Sequence, residues 1–370
     1  RVEHDGEYPR SVGIVVWGTS TMRTHGDDIA EILHLMGVRP AWVPESRRLK
    51  GVELVRLEEL GRPRIDVTVR ISGFFRDAFP NVVVLLDQAV GLVAAADEPD
   101  EHNYLRRHAR REERALLANG MAADSAARQS RYRVFGSKPG SYGAGLLNLI
   151  DERNWKTDAD LAEVYINWGS YAYTSTEHGV AAAGPFKRRL AQVAVAVQNQ
   201  DNREHDIFDS DDYFQFHGGM IAAIRALTGE NPAAYFGDTA NPDDVRVRDL
   251  ADEARRVFRS RVVNPKWIDS VMRHGYKGAF EMAATVDYLF GYEATARVID
   301  DWMFEGVSRA YLLDPKVQEF LQGKNPWALR SMAERLIESV ERGLWERPSP
   351  GTVAALKELY LRNESVLESR

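Results

Sequence analysis

The fold turns on the stretch Val12-Gly13-Ile14-Val15-Val16-Trp17-Gly18-Thr19-Ser20-Thr21. Its first six residues form a near-continuous apolar run, the mark of a strand buried on both faces. Gly18 to Thr21 supply a turn. A helix follows, with Ile29, Leu33 and Met36 at i, i+4 and i+7, and closes at Gly37. The order then repeats. Ile65-Asp66-Val67-Thr68-Val69-Arg70-Ile71 alternates as a strand, Ser72-Gly73 breaks it, and residues 74–79 lead into a helix carrying Val83, Leu86, Val90 and Val93. Pro40-Ala41-Trp42-Val43 and Val52-Glu53-Leu54-Val55 read as shorter strands. Strand, glycine-bearing turn and helix, found twice, predict an open α/β sheet. Such sheets bind ligands at the C-terminal ends of parallel strands. Thr19, Ser20, Ser72, Phe75 and Arg76 are expected at that edge.

Outward from this core, composition shifts near residue 97. The expected organisation is an N-terminal open α/β sheet unit, 1–97, followed by a mainly α-helical region, 98–370, that contains the acidic and histidine-bearing stretch 199–220. The segment 97–135 reads as a charged helix with a solvated face. Residues 135–145 read as a glycine-rich loop where backbone approaches a ligand or another element. Further helices are expected over 158–168, 185–198, 244–259, from Asn264-Pro265 to Gly275, and over 278–290, 326–340 and 352–366.

The bulk numbers exclude several function classes. The chain has 370 residues, is 44% hydrophobic and 28% charged, and carries a net charge of −7, which points neither to nucleic acid nor to an anionic membrane surface. No Cys is present, which removes disulfides, thiolate metal sites and a cysteine nucleophile, and fits a reducing cytoplasm. No apolar run approaches the roughly 20 residues of a spanning helix. The polar start Arg1-Val2-Glu3-His4-Asp5 is no signal peptide, and its lack of Met suggests a piece of a longer protein. Neither G-x-x-x-x-G-K-[ST] nor G-x-S-x-G occurs, so any ATP used is expected on another chain.

Possible ligands and proton carriers concentrate in Asn199-Gln-Asp-Asn-Arg-Glu-His205-Asp206-Ile-Phe-Asp209-Ser-Asp-Asp212-Tyr-Phe-Gln-Phe-His217-Gly-Gly-Met220. If 210–216 is helical, Asp209 is its natural N-cap, with Asp212 three residues on. The same geometry places His205, Asp209 and Asp212 at i, i+4 and i+7 on one stripe. Imidazole with carboxylate suits Co, Ni, Zn or Fe better than Ca or Mg. His217-Gly218-Gly219 reads either as a helix C-terminus or as a place where backbone lets a flat ligand approach His217. His25 is expected just before a helix start capped by Asp27, His178 reads as a loop residue, and His4, His102, His108 and His274 carry no signal.

Several separate motifs resemble one family. They are Gly18-Thr19 with Gly26-Asp27, Gly61-Arg62-Pro63-Arg64-Ile65-Asp66-Val67, Ser72-Gly73-Phe74-Phe75-Arg76-Asp77-Ala78-Phe79-Pro80 and Leu85-Leu86-Asp87, then Gly140-Ser141-Tyr142-Gly143, Asn264-Pro265-Lys266-Trp267 and Gly278-Ala279-Phe280-Glu281. Together they resemble the C-terminal portion of the aerobic cobaltochelatase large subunit, in the cobaltochelatase and magnesium chelatase large-subunit family. The 199–220 stretch and Val286-Asp287-Tyr288-Leu289-Phe290-Gly291-Tyr292 are more similar to the cobalt branch.

The resemblance implies a subunit that binds a tetrapyrrole, hydrogenobyrinic acid a,c-diamide in the cobalt branch, and inserts Co²⁺ as substrate metal in cobalamin biosynthesis. It implies ATP with Mg²⁺ on AAA+ partner subunits. It places Asp209 in the metal-insertion cavity and puts a cooperating glutamate in a part of the subunit outside this sequence, so the fragment alone is expected to be inactive. Asp209, Asp212 and His217 are the catalytic candidates, and His205, Asp209 and His217 the metal-ligand candidates. Substrate carboxylates call for Arg76, Arg203 or Lys266. Flat ring faces call for aromatics such as Tyr142, Phe214, Phe216 or Trp168. Two alternatives stay open: a magnesium chelatase-like subunit acting on a protoporphyrin, and a non-catalytic fragment that docks partners.

Overall fold

A computed structural model describes residues 6–368, so His4 and the polar start lie outside the described residues. The strands are β1 (Ser11–Val16), β2 (Val38–Val43), β3 (Arg48–Leu54), β4 (Asp66–Ile71), β5 (Val134–Gly136), β6 (Tyr171–Tyr173), β7 (His178–Ala181), β8 (Val195–Gln200), β9 (Ala233–Asp238) and β10 (Arg246–Asp249). Eight of them form one sheet in the order β10-β9-β8-β1-β4-β5-β6-β7, while β2 and β3 make a separate antiparallel hairpin. Pairing is parallel from β9 through β8, β1 and β4 to β5, and antiparallel for β5–β6 and β6–β7. The order reverses beside β1. Its neighbour on one side is β4, and on the other is β8, far along the chain. A crevice at such a reversal is where α/β sheets place ligands.

The two opening strands behave as their sequences require. All six residues of β1 and of β4 are buried. On β4, Val67, Val69 and Ile71 join the apolar core with Ile32, Leu33 and Met36 of the helix Asp27–Met36 and Leu86, Val90 and Val93 of the helix Pro80–Ala95. Successive strand residues face opposite ways, so Asp66, Thr68 and Arg70 share the other face, and they too are buried. Gly18 is required where β1 ends. A Cβ there would lie 2.6 Å from the Phe74 ring and 2.7 Å from the Phe75 nitrogen. The Ser72 hydroxyl accepts from Phe75 N at 3.1 Å and from Gly18 N at 3.2 Å, capping the helix Gly73–Ala78.

Several expectations change. Gly18–Thr24 is a short helix and not a turn, His178 lies in β7, and within 244–259 β10 precedes the helix Leu250–Val257. Three further changes concern the plan of the chain. The 185–198 segment is a helix, Ala183–Leu190, followed by the buried strand β8. Val195 and Val197 belong to the sheet, and Val193 lies in the connection before it, not on a helical stripe. Secondly, the charged 97–135 segment is two helices, Tyr104–Ala118 and Ala123–Gln129, and its inner face carries a buried acid, Glu112, in line with Leu105, Ala109 and Leu116. Thirdly, the chain divides into two compact units, Arg1–Asp201 with Gln215–Val247, and Asn202–Phe214 with Arg248–Arg370. The division expected at residue 97 does not coincide with them, because β5 to β9 complete the sheet that β1 and β4 begin.

The second unit is helical. Its central helix, Tyr276–Ala296, is 21 residues long and buried along most of its last three turns. Asn264 caps the helix Pro265–Met272 by accepting from Lys266 N, with Pro265 at its first position, as expected from the sequence. The helices Pro326–Glu341 and Pro350–Glu368 follow. Among the described residues no helix is long and apolar enough to cross a membrane.

Candidate functional site

The 199–220 stretch is shared between the two units, so each part has its own surroundings. In the second unit, residues 202–214 form a stitched turn. The Asp206 carboxylate receives the Arg261 guanidinium, with Nη2 at 2.8 Å, and accepts from Phe208 N at 2.8 Å. The Asp209 carboxylate accepts from Asp206 N at 3.0 Å and meets Nδ1 of His205 at 3.2 Å. Aromatic residues hold this turn to the helix Tyr276–Ala296. Phe208 meets Tyr292 edge-on with ring centres 6.3 Å apart, and Phe214 meets Tyr288 at 6.2 Å. Gly291 makes room for this, since a Cβ there would lie 2.8 Å from the Phe214 ring. The two stretches that resemble the cobalt branch, 199–220 and 286–292, therefore pack on each other through 202–214.

Asp209 is not an N-cap. Ser210 occupies that position for the short turn Asp211–Tyr213, and the Asp209 side chain points back to close the 206–209 turn. Burial, then the charge of Asp206, pushes the Asp209 carboxyl above the usual range. Asp212 is raised to about 6, by the protein crowded behind it and then by Asp211, although its outer edge reaches solvent. His205 is exposed and faces Asp209. Among the described residues no group of three or more His, Asp or Glu side chains is arranged to hold a metal ion. His205 with Asp209 is what the structure brings together.

The helix does not stop at the glycine pair. A π-helical segment, Phe214–Gly218, runs directly into the helix Gly219–Thr228. Insertions of this kind recur at functional sites. Gly219 sits where a Cβ would lie 2.5 Å from the Tyr165 ring, so it serves close packing against the helix Asp158–Gly169. His217 belongs to the first unit and is fully buried. Its Nε2 donates to the Ala196 carbonyl at 3.2 Å. Burial pushes it down to about 4, so the ring is neutral at neutral pH and fixed to β8. Phe216 is likewise buried, against Trp17 and the Arg70 guanidinium.

The first unit adds an acidic cluster at the β1/β8 crevice that the sequence reading missed. Asn199 Nδ2 donates to Asp28 at 2.9 Å and to Glu31 at 2.6 Å. Asp201 pairs with Arg23 at 2.6 and 2.8 Å and accepts from the Ser20 hydroxyl at 3.1 Å. Burial pushes Asp28 up to about 7; the Asn199 hydrogen bond opposes this, and the charges of Glu31 and Asp201 add to it. Glu31 is raised by burial too. The signal for this pair was present: acids at i and i+3 on a helix whose other buried residues are apolar.

The substrate-binding candidates are scattered. Arg76 is buried and fully engaged, by both oxygens of Asp77 and by the carbonyls of Ser137, Lys138 and Ser141. It organises the 137–142 loop. Tyr142 is exposed, lies under the Arg76 guanidinium at 5.4 Å, and donates to Asp77 at 2.7 Å. Arg203 and Lys266 are exposed in the second unit.

With this geometry in place, comparison with known proteins is decisive. Residues 1–352 match the family model described as CobN/Magnesium Chelatase. The chain belongs to this family. It is 53% identical to the aerobic cobaltochelatase subunit CobN of Sinorhizobium sp over 344 residues, which is 93% of this chain and 27% of the relative. It is 33% identical to the chloroplastic magnesium-chelatase subunit ChlH of Oryza sativa subsp. indica over 371 residues, 100% of this chain and 26% of the relative. The solved catalytic subunit of cobaltochelatase from Mycobacterium tuberculosis superposes with a TM-score of 0.94 at 57% identity, over 98% of this chain and 30% of that one. The chain thus spans less than a third of the length of these family members. Among the described residues, the 202–214 turn and the β1/β8 crevice each gather acids raised above the usual carboxylate range.

Proposed function

We propose that the chain is part of the tetrapyrrole-binding, metal-inserting subunit of an ATP-dependent cobaltochelatase. Its reaction is insertion of Co²⁺ into hydrogenobyrinic acid a,c-diamide, a step of cobalamin biosynthesis. The observation that carries the cobalt assignment is the split in identity, 53% to the cobaltochelatase subunit against 33% to the magnesium-chelatase subunit, over nearly the same residues. ATP hydrolysis falls to AAA+ partner subunits, since this sequence has no P-loop.

The chemistry asks for two things. The ion must exchange water for the ring nitrogens, and the ring must give up its N–H protons. A lone His205–Asp209 edge would hold Co²⁺ through imidazole and carboxylate without a closed cage, and so release it. Asp212, raised to about 6, is an acid able to take up a proton near neutral pH and pass it to solvent, and Asp209 is raised in the same direction. Arg203 and Lys266 are the exposed cations offered to substrate carboxylates, and Arg76 acts by positioning Tyr142. His217 serves through the fold: it fixes the π-helical segment that follows the acids.

The test uses the full-length subunit with its ATPase partners, offered Co²⁺ with hydrogenobyrinic acid a,c-diamide or Mg²⁺ with protoporphyrin. Cobalt insertion is expected to dominate. Faster magnesium insertion would replace this reading with the magnesium one. Assembly with partners but no insertion of either metal would leave a docking role.

A further inference from the structure

Among the described residues, five arginines are buried to 2% exposure or less, and four of them are answered by a carboxylate. Arg64 meets Glu98 at 2.7 Å, Arg76 meets Asp77 at 2.6 Å, Arg133 meets Asp66 at 2.5 Å, and Arg189 meets Glu112. Arg70, on β4, is the exception. It is fully buried, and no carboxylate of the described residues pairs with it. Its Nη1 donates to the Ile71 carbonyl at 2.6 Å. Nε and Nη2, the two donors along one edge of the guanidinium, meet no acceptor. Burial is the largest influence on this group and works against its charge; the groups that favour the charge are Tyr165 and then Tyr173.

The surroundings close over Arg70 without neutralising it. Its guanidinium carbon lies 5.0 Å from the Phe216 ring centre and 5.7 Å from that of Tyr165. Ring faces attract a cation but give its edge no hydrogen-bond acceptor. The helix Asp158–Gly169 ends beside it, since a Cβ on Gly169 would lie 2.8 Å from Nε. That helix end contributes roughly half a negative charge against one full positive charge. The Tyr165 hydroxyl, on a side chain that is also fully buried, has no hydrogen-bond partner, and its ring stands close enough that each group acts on the other's proton. A buried charge is costly unless an opposite charge accompanies it. A water molecule would accept the hydrogen bonds and leave the charge standing.

We infer that Arg70 and Tyr165 form a site for a small monovalent anion of the chloride class, held by the Nε–Nη2 edge of the guanidinium and by the Tyr165 hydroxyl. One cation without a carboxylate calls for a single negative charge. A dianion such as phosphate would leave an excess of negative charge in the interior. Enclosure sets the size: Arg70 and Tyr165 are 0% exposed and Phe216 is 2% exposed, so the ion is bare and small. Two N–H groups on one edge give charge-assisted hydrogen bonds to a single acceptor. The ion ties the end of β4 to the helix Asp158–Gly169 and to Phe216 in the π-helical segment, all within the first unit. Neither the ring substrate nor the inserted metal enters this site.

The experiment uses the full-length subunit at constant ionic strength, with sodium gluconate, chloride, bromide or phosphate as the salt. Hydrogen exchange is read at the amides of 69–71, 165–169 and 214–218, and crystals grown in bromide are measured by anomalous diffraction. Roughly 0.1 M chloride or bromide is expected to slow exchange of these amides about tenfold relative to gluconate, with phosphate giving no slowing. Bromide is expected as an anomalous peak at the Nε–Nη2 edge of Arg70. Arg70→Met should abolish the halide effect, and Tyr165→Phe, which keeps the cation and the ring, should weaken the apparent halide affinity about tenfold. Equal exchange in gluconate and halide would overturn the site, as would a halide effect that survives in Arg70→Met. The bromide crystals need no variant, so a failure of Arg70→Met to fold leaves the test intact: bromide absent from Arg70 would overturn the site. A peak at Arg70 with no change in exchange would mark an adventitious ion only and would overturn it equally.

Discussion

Two constellations in this molecule contain the same residue types and do opposite things. In the first unit, Asp66 is buried among Arg133, at 2.5 Å, His108, at 2.8 Å, and Arg189, at 3.6 Å, while Glu112 joins both Arg189 and Arg188. Burial alone would push Asp66 up, but Arg133, then His108 and Arg189, outweigh it and hold the carboxyl well below the ordinary range. In the second unit, burial first and then the neighbouring acids Asp206 and Asp211 push Asp209 and Asp212 up, against weaker opposition at Asp209 from Arg261 and His205. The difference is whether the surrounding cations outweigh burial. An acid ringed by cations is locked as a carboxylate and serves the fold. An acid whose burial is not outweighed by cations has its carboxyl raised toward the range where it exchanges protons. Having His, Asp and Arg together is therefore not in itself a sign of a reactive site.

The largest effect expected from this contrast is on stability. Asp66→Ala leaves Arg133 and Arg189 buried without their shared partner and should cost about 3–5 kcal/mol in urea unfolding. A loss below about 1 kcal/mol would mean that the network is not structural. Next comes the packing that holds His217. Gly219→Ala forces a Cβ to within 2.5 Å of the Tyr165 ring and should cost about 1–3 kcal/mol by the same measurement. A neutral result would remove the packing role assigned to Gly219.

Asp28 sharpens the comparison because it is a buried acid with a carboxamide, not a cation, as its partner. Its carboxyl is raised to about 7 in the folded protein and titrates near 3.9 when unfolded. The folded state therefore binds the extra proton between those values. This group's contribution to stability is full below about pH 4 and is lost as pH rises through about 7. Thermal midpoints of wild type and Asp28→Asn should accordingly diverge in the variant's favour between pH 5 and pH 8, by a few degrees. A constant difference across that range would show that Asp28 is ionised throughout.

The sequence made parts of this legible for physical reasons. β1 and β4 were readable because a strand covered on both faces is apolar without interruption, or alternates with polar groups that the fold must pair. β5 and β6 were not, since three residues cannot display a period. β8 was mistaken for the end of a helix because Pro185 gives a genuine helix start and Val193, Val195 and Val197 sit among alanines that suit either state. Glu112 and His108 were read as part of a solvated face because charge alone does not tell an inward acid from an outward one; only the stripe of Leu105, Ala109 and Leu116 does. At the candidate site, the residue types of 199–220 drew attention to Asp209 and Asp212, but spacing could not give their surroundings. A π-helical segment has no sequence signature, and the assumption of a regular helix put Asp209 at a cap and joined His217 to residues of the other unit.

The central claim is that Asp209 works on protons and metal, whereas Asp66 works on the fold. One paired measurement addresses it: thermal unfolding and cobalt insertion of the full-length subunit carrying Asp209→Ala, assembled with its ATPase partners. The account predicts a thermal midpoint within about 2 °C of wild type together with insertion slowed by roughly 10²–10⁴-fold. Insertion at the wild-type rate in a normally folded, normally assembled variant would contradict it.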